Sequence, residues 1–285
     1  MKDTTMLSAI RTMLGVPTCA IPLPFCKPAK TYLLDRAGIP PEGTAIIFAV
    51  PYLVTEDVAD SHRNLSLYAV PRDYHGYMAE LGETLLPRLR ETYPNNRFAL
   101  FADHSPICEV DAAARAGLGV LGDNGLLITE EYGSFVFLGE IVTDADFSAV
   151  TGGDVLTVPA EPPSCENCGA CAAACPGGCI GGDRSRCLSA ITQKKGALTE
   201  DDMEAIRRGG LAWGCDVCQL VCPHNLDVIR GVRDTVVPYF CRERVTQLDL
   251  DGLDEMSDEA FRRRAFAWRG RDVIRRNLSI LEHKE

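Results

Sequence analysis

Seven of the thirteen cysteines in this chain stand at spacings that belong to iron–sulfur chemistry. In Cys165-x2-Cys168-x2-Cys171-x3-Cys175-Pro176, a tight loop followed by a helical turn can wrap a cubane, and the last cysteine leaves toward a second cluster on a helix opened by proline. The second run, Cys215-x2-Cys218-x3-Cys222-Pro223, lacks a nearby first cysteine, and Cys187 can supply it from a distance. The ligand count then closes for two [4Fe–4S] clusters: Cys165, Cys168, Cys171 and Cys222 for one, and Cys187, Cys215, Cys218 and Cys175 for the other. Structural zinc also uses paired C-x2-C motifs, but it needs neither a third cysteine two residues on nor Cys-Pro at both ends. Two neighbouring clusters make an electron wire. A wire implies a redox centre to feed and an external donor such as ferredoxin or flavodoxin. Cys19, Cys26, Cys108, Cys179 and Cys241 remain, and each reads as a small buried hydrophobe.

A second stretch carries acid–base potential. Asp103-His104-Ser105-Pro106-Ile107-Cys108-Glu109 directly follows the apolar run Phe98–Ala102. An acid in a loop at a strand's exit is where layered α/β proteins place their chemistry, although Asp before Ser-Pro also suits a turn or a helix N-cap. Tyr68-Ala-Val-Pro-Arg72-Asp73-Tyr74-His75 is a polar turn opening the next helix, and His75 has no second histidine at ligand spacing.

Gly117-Leu-Gly119-Val-Leu-Gly122 spells G-x-G-x-x-G, with Glu140 further on. A dinucleotide fingerprint needs a strand before it and a helix after it. Here a helical stretch, 109–116, precedes it with Gly117 as its stop, and the strand-like Leu126-Leu-Ile128 follows. The context excludes nicotinamide binding.

The elements that must hold these residues are legible as short apolar runs. Ala45–Val50, Phe98–Ala102, Leu126–Ile128 and Phe135–Leu138 read as strands, and 77–92 puts Met78, Leu81, Leu85, Leu86 and Leu89 at helical spacing. Strands alternating with helices predict an α/β layered domain over 1–147. A Gly- and Pro-rich linker over 148–164, a ferredoxin-like domain over 165–225 and a charged helical segment over 226–285 complete the expected organisation.

With 285 residues, 46% of them hydrophobic, the chain can bury a core and is not disordered. Its net charge of −11 excludes a generic nucleic-acid coat protein, since phosphate binding relies on Lys and Arg. No window reaches the roughly 18 apolar residues of a membrane span, and the acidic N-terminus is unlike a signal peptide. A cytoplasmic protein with reduced thiols is expected.

Several segments, in order, resemble the epoxyqueuosine reductase family. They are Tyr68-Ala with Arg72-Asp-Tyr-His75, Asp103-His-Ser-Pro-Ile-Cys-Glu109, Ala116-Gly-Leu-Gly-Val-Leu-Gly-Asp-Asn124 and Gly133-Ser134-Phe with Phe137-Leu-Gly-Glu-Ile141. Trp213-Gly-Cys-Asp216-Val-Cys-Gln-Leu-Val-Cys-Pro223 completes the match, which covers about 45–280. The resemblance implies a cobalamin-binding α/β domain, akin to reductive dehalogenases, joined to a two-cluster ferredoxin-like α+β domain. It implies reduction of the epoxide of epoxyqueuosine in tRNA, with Asp103 as proton donor. By the same resemblance Tyr68, Arg72, Asp73, Tyr74, His75, Asp103, Asn124, Ser134 and Asp216 mark the corrin-binding neighbourhood. The chain departs from the family at 1–44, at Pro51-Tyr52 and at Asp123, and it ends where many members continue into a helical-repeat domain.

The run Arg262, Arg263, Arg264, Arg269, Arg271, Arg275 and Arg276, after a helix start at Ser257-Asp-Glu, reads either as a solvated face pairing with acids or as a phosphate-contacting patch for tRNA. Trp213 and Trp268 read as packing residues. Two other functions stay open: the same corrinoid and iron–sulfur chemistry on a smaller oxidised or halogenated substrate, and a non-catalytic electron carrier.

Overall fold

Six strands are found among the described residues: β1 (Thr18–Pro22), β2 (Thr44–Pro51), β3 (Phe98–Phe101), β4 (Val120–Leu121), β5 (Leu127–Ile128) and β6 (Val136–Thr143). The computed structural model describes residues 5–154, 157–231, 235 and 237–282. β1, β2, β6 and β3 form one sheet in that order, antiparallel at every pairing. All eight residues of β2 are buried, which its unbroken apolar run foretells: a central strand with both faces covered does not alternate. The strand read at 135–138 is longer than its apolar core suggests, because β6 pairs with β2 along eight residues, from Thr44 opposite Thr143 to Pro51 opposite Val136.

The chain divides into two compact units that do not follow its linear order. The first comprises Met1–Pro51, His75–Glu130 and Val136–Glu166; the second comprises Tyr52–Tyr74, Glu131–Phe135 and Asn167–Glu285. The composition shifts suggest segments in linear order, 1–147, a linker over 148–164, 165–225 and 226–285. Instead, two short segments from the N-terminal half belong with the cysteine-rich half. The stretch read as a linker opens with a helix, Phe147–Thr151, capped by the Asp146 carboxylate. It returns as a bridge in which Leu121 N–H donates to Pro163 O and Cys165 N–H to Leu121 O.

In the first unit, the sheet and the helix Glu109–Arg115 enclose a core that includes Ile21, Ile47, Ile107, Ala112, Ala113, Ala114 and Val142. Three successive alanines let the helix lie close against the sheet. Its end follows the Schellman pattern: Gly117 at φ 80 donates to Ala114 O, and Leu118 to Ala113 O. A Cβ on Gly119 would stand 2.3 Å from Ile128 O, so this glycine admits the β4–β5 hairpin. The G-x-G-x-x-G pattern is therefore a helix stop and a close strand approach.

The second unit buries Trp213 against Phe266, with Leu65, Leu253, Phe261, Ile274 and Leu278 in the same core. The helix Arg271–Glu282 contributes Ile280 to a smaller cluster with Leu188, Ile191 and Ile206. Asn277, fully buried, donates to Thr192 O and Ala212 O, tying that helix to the cysteine-bearing segment. No described helix is long and apolar enough to cross a membrane.

Candidate active site

Asp103 leaves β3 at φ 60, a left-handed conformation that costs an L-residue about 1–2 kcal/mol and that Asp tolerates better than most. Its exposed carboxylate lies 4.0 Å from His75 Nε2 at the start of the helix Tyr74–Thr92. Both side chains are more than half exposed, so the contact orients them and adds little stability.

The loop after Asp103 is fastened on both sides. Its far side meets residues 27–30: Cys108 N–H donates to Lys27 O, Ala29 N–H to Pro106 O and Lys30 N–H to Ser105 O. Lys30 Nζ donates to His104 Nδ1 at 3.1 Å, and Tyr32 Oη lies 2.9 Å from His104 Nε2. A lysine ammonium can only donate, so these contacts select the His104 tautomer that carries its proton on Nε2. Residues 27–32, within a segment that matches no family motif, thus line the loop of the candidate acid.

Beneath the loop lies a pair of carboxyls. Both Glu109 oxygens accept the Asp103 N–H, at 3.2 and 3.0 Å. Glu140, completely buried on β6, accepts from Ser105 Oγ. Burial pushes the Glu140 carboxyl well above its ordinary range, and the neighbouring Glu109 pushes it further. Burial likewise raises Glu109, opposed by its hydrogen bonds to Glu140 and to Asp103. Both carboxyls are raised, and Glu140, the more deeply buried, is raised further. Sequence reading passed over this pair, although one acid in the apolar run of β6 was its visible trace.

This arrangement has a consequence for stability. A folded-state value raised above the unfolded one stabilises at low pH. The stabilisation fades as pH rises from about 4.3 through the raised value. Melting the wild type and Glu140→Gln across pH 5–8 should show the wild type losing midpoint relative to the variant as pH rises. Parallel curves would refute the buried acid. Asp103 and His75 are the titratable groups facing Glu109, and Cys26 faces Glu140.

The remaining residues of the proposed corrin neighbourhood fall into two groups. Asn124 belongs to the first unit, where its Oδ1 accepts Leu126 N–H in the β4–β5 turn. In the second unit, the Arg72 guanidinium stacks 4.0 Å from the Tyr239 ring centre and lies 3.7 Å from Glu243. The Tyr239 hydroxyl donates to Asp73 O. Tyr68 packs near Trp213, and burial holds its phenol above the ordinary value. Ser134 and Asp216 are buried and bonded to protein. Ser134 Oγ accepts from Gln219 Nε2 and Asn225 Nδ2, and Asp216 accepts from Arg63 and from Leu67 N–H. The sequence match singles out both, and these bonds tie them to Gln219, Asn225, Arg63 and Leu67.

No disulfide joins the cysteines. Cys165 closes the first unit, and the other seven proposed ligands belong to the second. Gly169 at φ 76 starts the short helix Ala170–Ala174, which carries Cys171, and Cys175 caps its end. Pro176 therefore follows a helix rather than opening one, whereas Pro223 does open a 3-10 turn. Burial works against ionisation of Cys175, but the N–H groups of Cys179, Gly177 and Ile180 overcome it and lower its value. Backbone donors converging on a thiolate suit a cluster ligand. Among the described residues no three His, Cys, Asp or Glu side chains converge on a single-ion site.

Of the five cysteines read as buried hydrophobes, Cys26 is buried and Cys19 is half-buried against the same core, and burial pushes both thiols to about 12. Cys241 is exposed. Cys179 is buried, but its Sγ lies 3.3 Å from that of Cys175, so it stands among the proposed ligands.

Most of the arginine run is committed internally. Arg264 is buried and donates to Ala69 O, Val70 O and Glu243 O; Arg271 donates to Leu253 O and Met256 O; Arg276 to Lys194 O and Gly196 O. Arg263 pairs with Glu259 and Arg275 with Asp254. Trp213 is buried as expected. Trp268 is not: it is 58% exposed with Arg269 stacked on it at 3.7 Å.

Fold and cysteine array together define a double-cluster iron–sulfur protein built on a layered helix-and-sheet unit. Residues 164–225 match the family model for a 4Fe-4S double cluster binding domain. The epoxyqueuosine reductase of Gloeobacter violaceus is 33% identical over 244 residues, covering 84% of this chain and 73% of that protein. The Lactococcus garvieae enzyme is 32% identical, covering 72% of this chain, and the chain spans 57% of its length. An epoxyqueuosine reductase solved with an epoxyqueuosine-modified tRNA-Tyr stem loop superposes with a TM-score of 0.72, at 24% identity, over 96% of this chain and 79% of that one. The chain belongs to the epoxyqueuosine reductase family.

Proposed function

We propose that this chain is a cobalamin- and iron–sulfur-dependent reductase that converts epoxyqueuosine in tRNA to queuosine in the cytoplasm, with Asp103 as the acid. The observation that carries this reading is the exposed Asp103 carboxylate, held in a left-handed loop at the exit of β3 beside His75, in a chain of this family. Reduction of an epoxide to an alkene takes two electrons and two protons and releases water. Both C–O bonds break, and the departing oxygen needs a proton. Asp103 supplies it, and a positioned acid contributes roughly 10²–10⁴ in rate.

Cys165, Cys168, Cys171 and Cys222 would hold one [4Fe–4S] cluster, and Cys175, Cys187, Cys215 and Cys218 the other, with Cys179 adjacent to the second set. When bound, the clusters would pass single electrons from an external ferredoxin or flavodoxin, and cobalamin would supply the strongly reducing metal. The donor set fits the clusters, since none of these thiols is tied up in a disulfide and backbone N–H groups already face Cys175. For a corrinoid rich in amides, Arg72 offers a buried Nε without a hydrogen-bond partner, and Tyr68, Asp73, Tyr74, His75 and Asn124 are the other residues proposed to face it.

The internal commitment of the arginines favours a second reading, the same chemistry on a smaller oxidised or halogenated substrate. Anaerobic purification with cobalamin supplied, followed by iron and cobalt analysis, tests the class. About eight irons and about one cobalt per chain are expected for two cubanes and one corrinoid. Eight irons without cobalt would leave an electron carrier. Turnover of an epoxyqueuosine-containing tRNA stem loop then separates the two substrates.

A further inference from the structure

The strained backbone of Asp103 has to be held by something outside itself. Its N–H points at both oxygens of Glu109, in the first turn of the helix Glu109–Arg115. Glu109 in turn stands against Glu140, whose strand neighbour is Phe101, two residues before Asp103. Ser105 closes the circuit: its hydroxyl reaches Glu140, and the same oxygen accepts Ile107 N–H at 3.1 Å. Glu140 Oε2 is buried and has no conventional donor. Two carboxyls in contact away from water cannot both be ionised, and one shared proton satisfies that oxygen. With the proton on Glu140, Glu109 keeps the charge that makes it a strong acceptor for the Asp103 N–H.

We propose that Glu109 is the positioning residue of the Asp103 loop: its carboxyl, braced by Glu140 and Ser105, latches the Asp103 N–H and thereby aims the acid. The catalytic consequence rests on the reading of Asp103 as proton donor, but the latch itself does not. His75 and Asp103 face the pair from the loop side, and Cys26 faces Glu140 from the segment after β1.

Hydrogen–deuterium exchange over residues 101–108 reads the latch directly, and steady-state kinetics of the reconstituted enzyme read its consequence. A charge-assisted hydrogen bond of this kind shifts a local opening equilibrium by roughly 10- to 100-fold. Glu109→Ala should therefore accelerate exchange of this segment by about tenfold or more and lower kcat comparably, with KM and iron content little changed. Glu109→Gln keeps an oxygen for Asp103 N–H and an amide NH2 for Glu140 but not the charge, so it should recover part of both readouts, between the alanine variant and wild type. Unchanged exchange in a folded Glu109→Ala protein overturns the latch, and so does a Glu109→Gln protein as loose as the alanine variant. If Glu109→Ala does not fold, Ser105→Ala decides. Removing the brace should accelerate exchange of the same segment, and no acceleration rejects the proposal. An active Asp103→Asn enzyme with a loosened Glu109→Ala loop would sink the acid and keep the latch.

Discussion

Asp103→Asn is expected to purify with unchanged iron and cobalt and to turn over roughly 10²–10⁴-fold more slowly than the wild type. Asn matches Asp in shape and tolerates the left-handed region, so φ 60 is retained. The backbone N–H to Glu109 is unaffected, because it does not involve the side chain. What disappears is the transferable proton. Single-turnover and steady-state rates should fall together, since the loss falls on the bond-breaking step and not on substrate binding. Turnover within about threefold of wild type would remove Asp103 from the chemistry and return it to the role of a turn residue.

The largest structural effect is expected from Asp216→Ala. Asp216 follows Cys215 and is 1% exposed; it accepts from Arg63 Nη1 at 2.7 Å and from Leu67 N–H at 3.0 Å. Burial raises its carboxyl, and Arg63 and the Leu67 N–H oppose that rise. Removing one member of a buried pair strands the other: Arg63, 10% exposed, keeps a charge without its partner. Breaking such a pair destabilises by about 3–5 kcal/mol. Anaerobic urea titration should show the midpoint falling by about 1–3 M. Iron content should fall as well, because Cys215 and Cys218 flank the lost anchor. A midpoint within about 0.3 M of wild type would show that the pair is not holding this segment. Adding Arg63→Ala should recover part of the loss, since the double variant leaves no buried charge unpaired.

Much that is written in local spacing was determined by the sequence alone. The cysteine intervals state a double-cluster array because a cubane is wrapped by cysteines three positions apart, with a Cys-Pro four positions further on. The apolar run at 45–50 states a central strand, and Gly117 states a helix stop, because each depends on a few adjacent dihedrals. Asp103 after the run at 98–102 was visible for the same reason. Tertiary structure alone decided the rest. That 52–74 and 131–135 join the cysteine-rich unit follows from packing between residues far apart in the chain, as when Ser66 N–H donates to Trp213 O. The fate of the arginines was likewise hidden. Their number predicts a charged face, but Arg264, Arg271 and Arg276 bond to backbone carbonyls brought in by other segments. Glu109 reads as an ordinary first-turn acid and Glu140 as an oddity in a strand. Only the fold brings the two carboxyls together, and that contact, with burial, raises both and sets Glu109 against the Asp103 N–H.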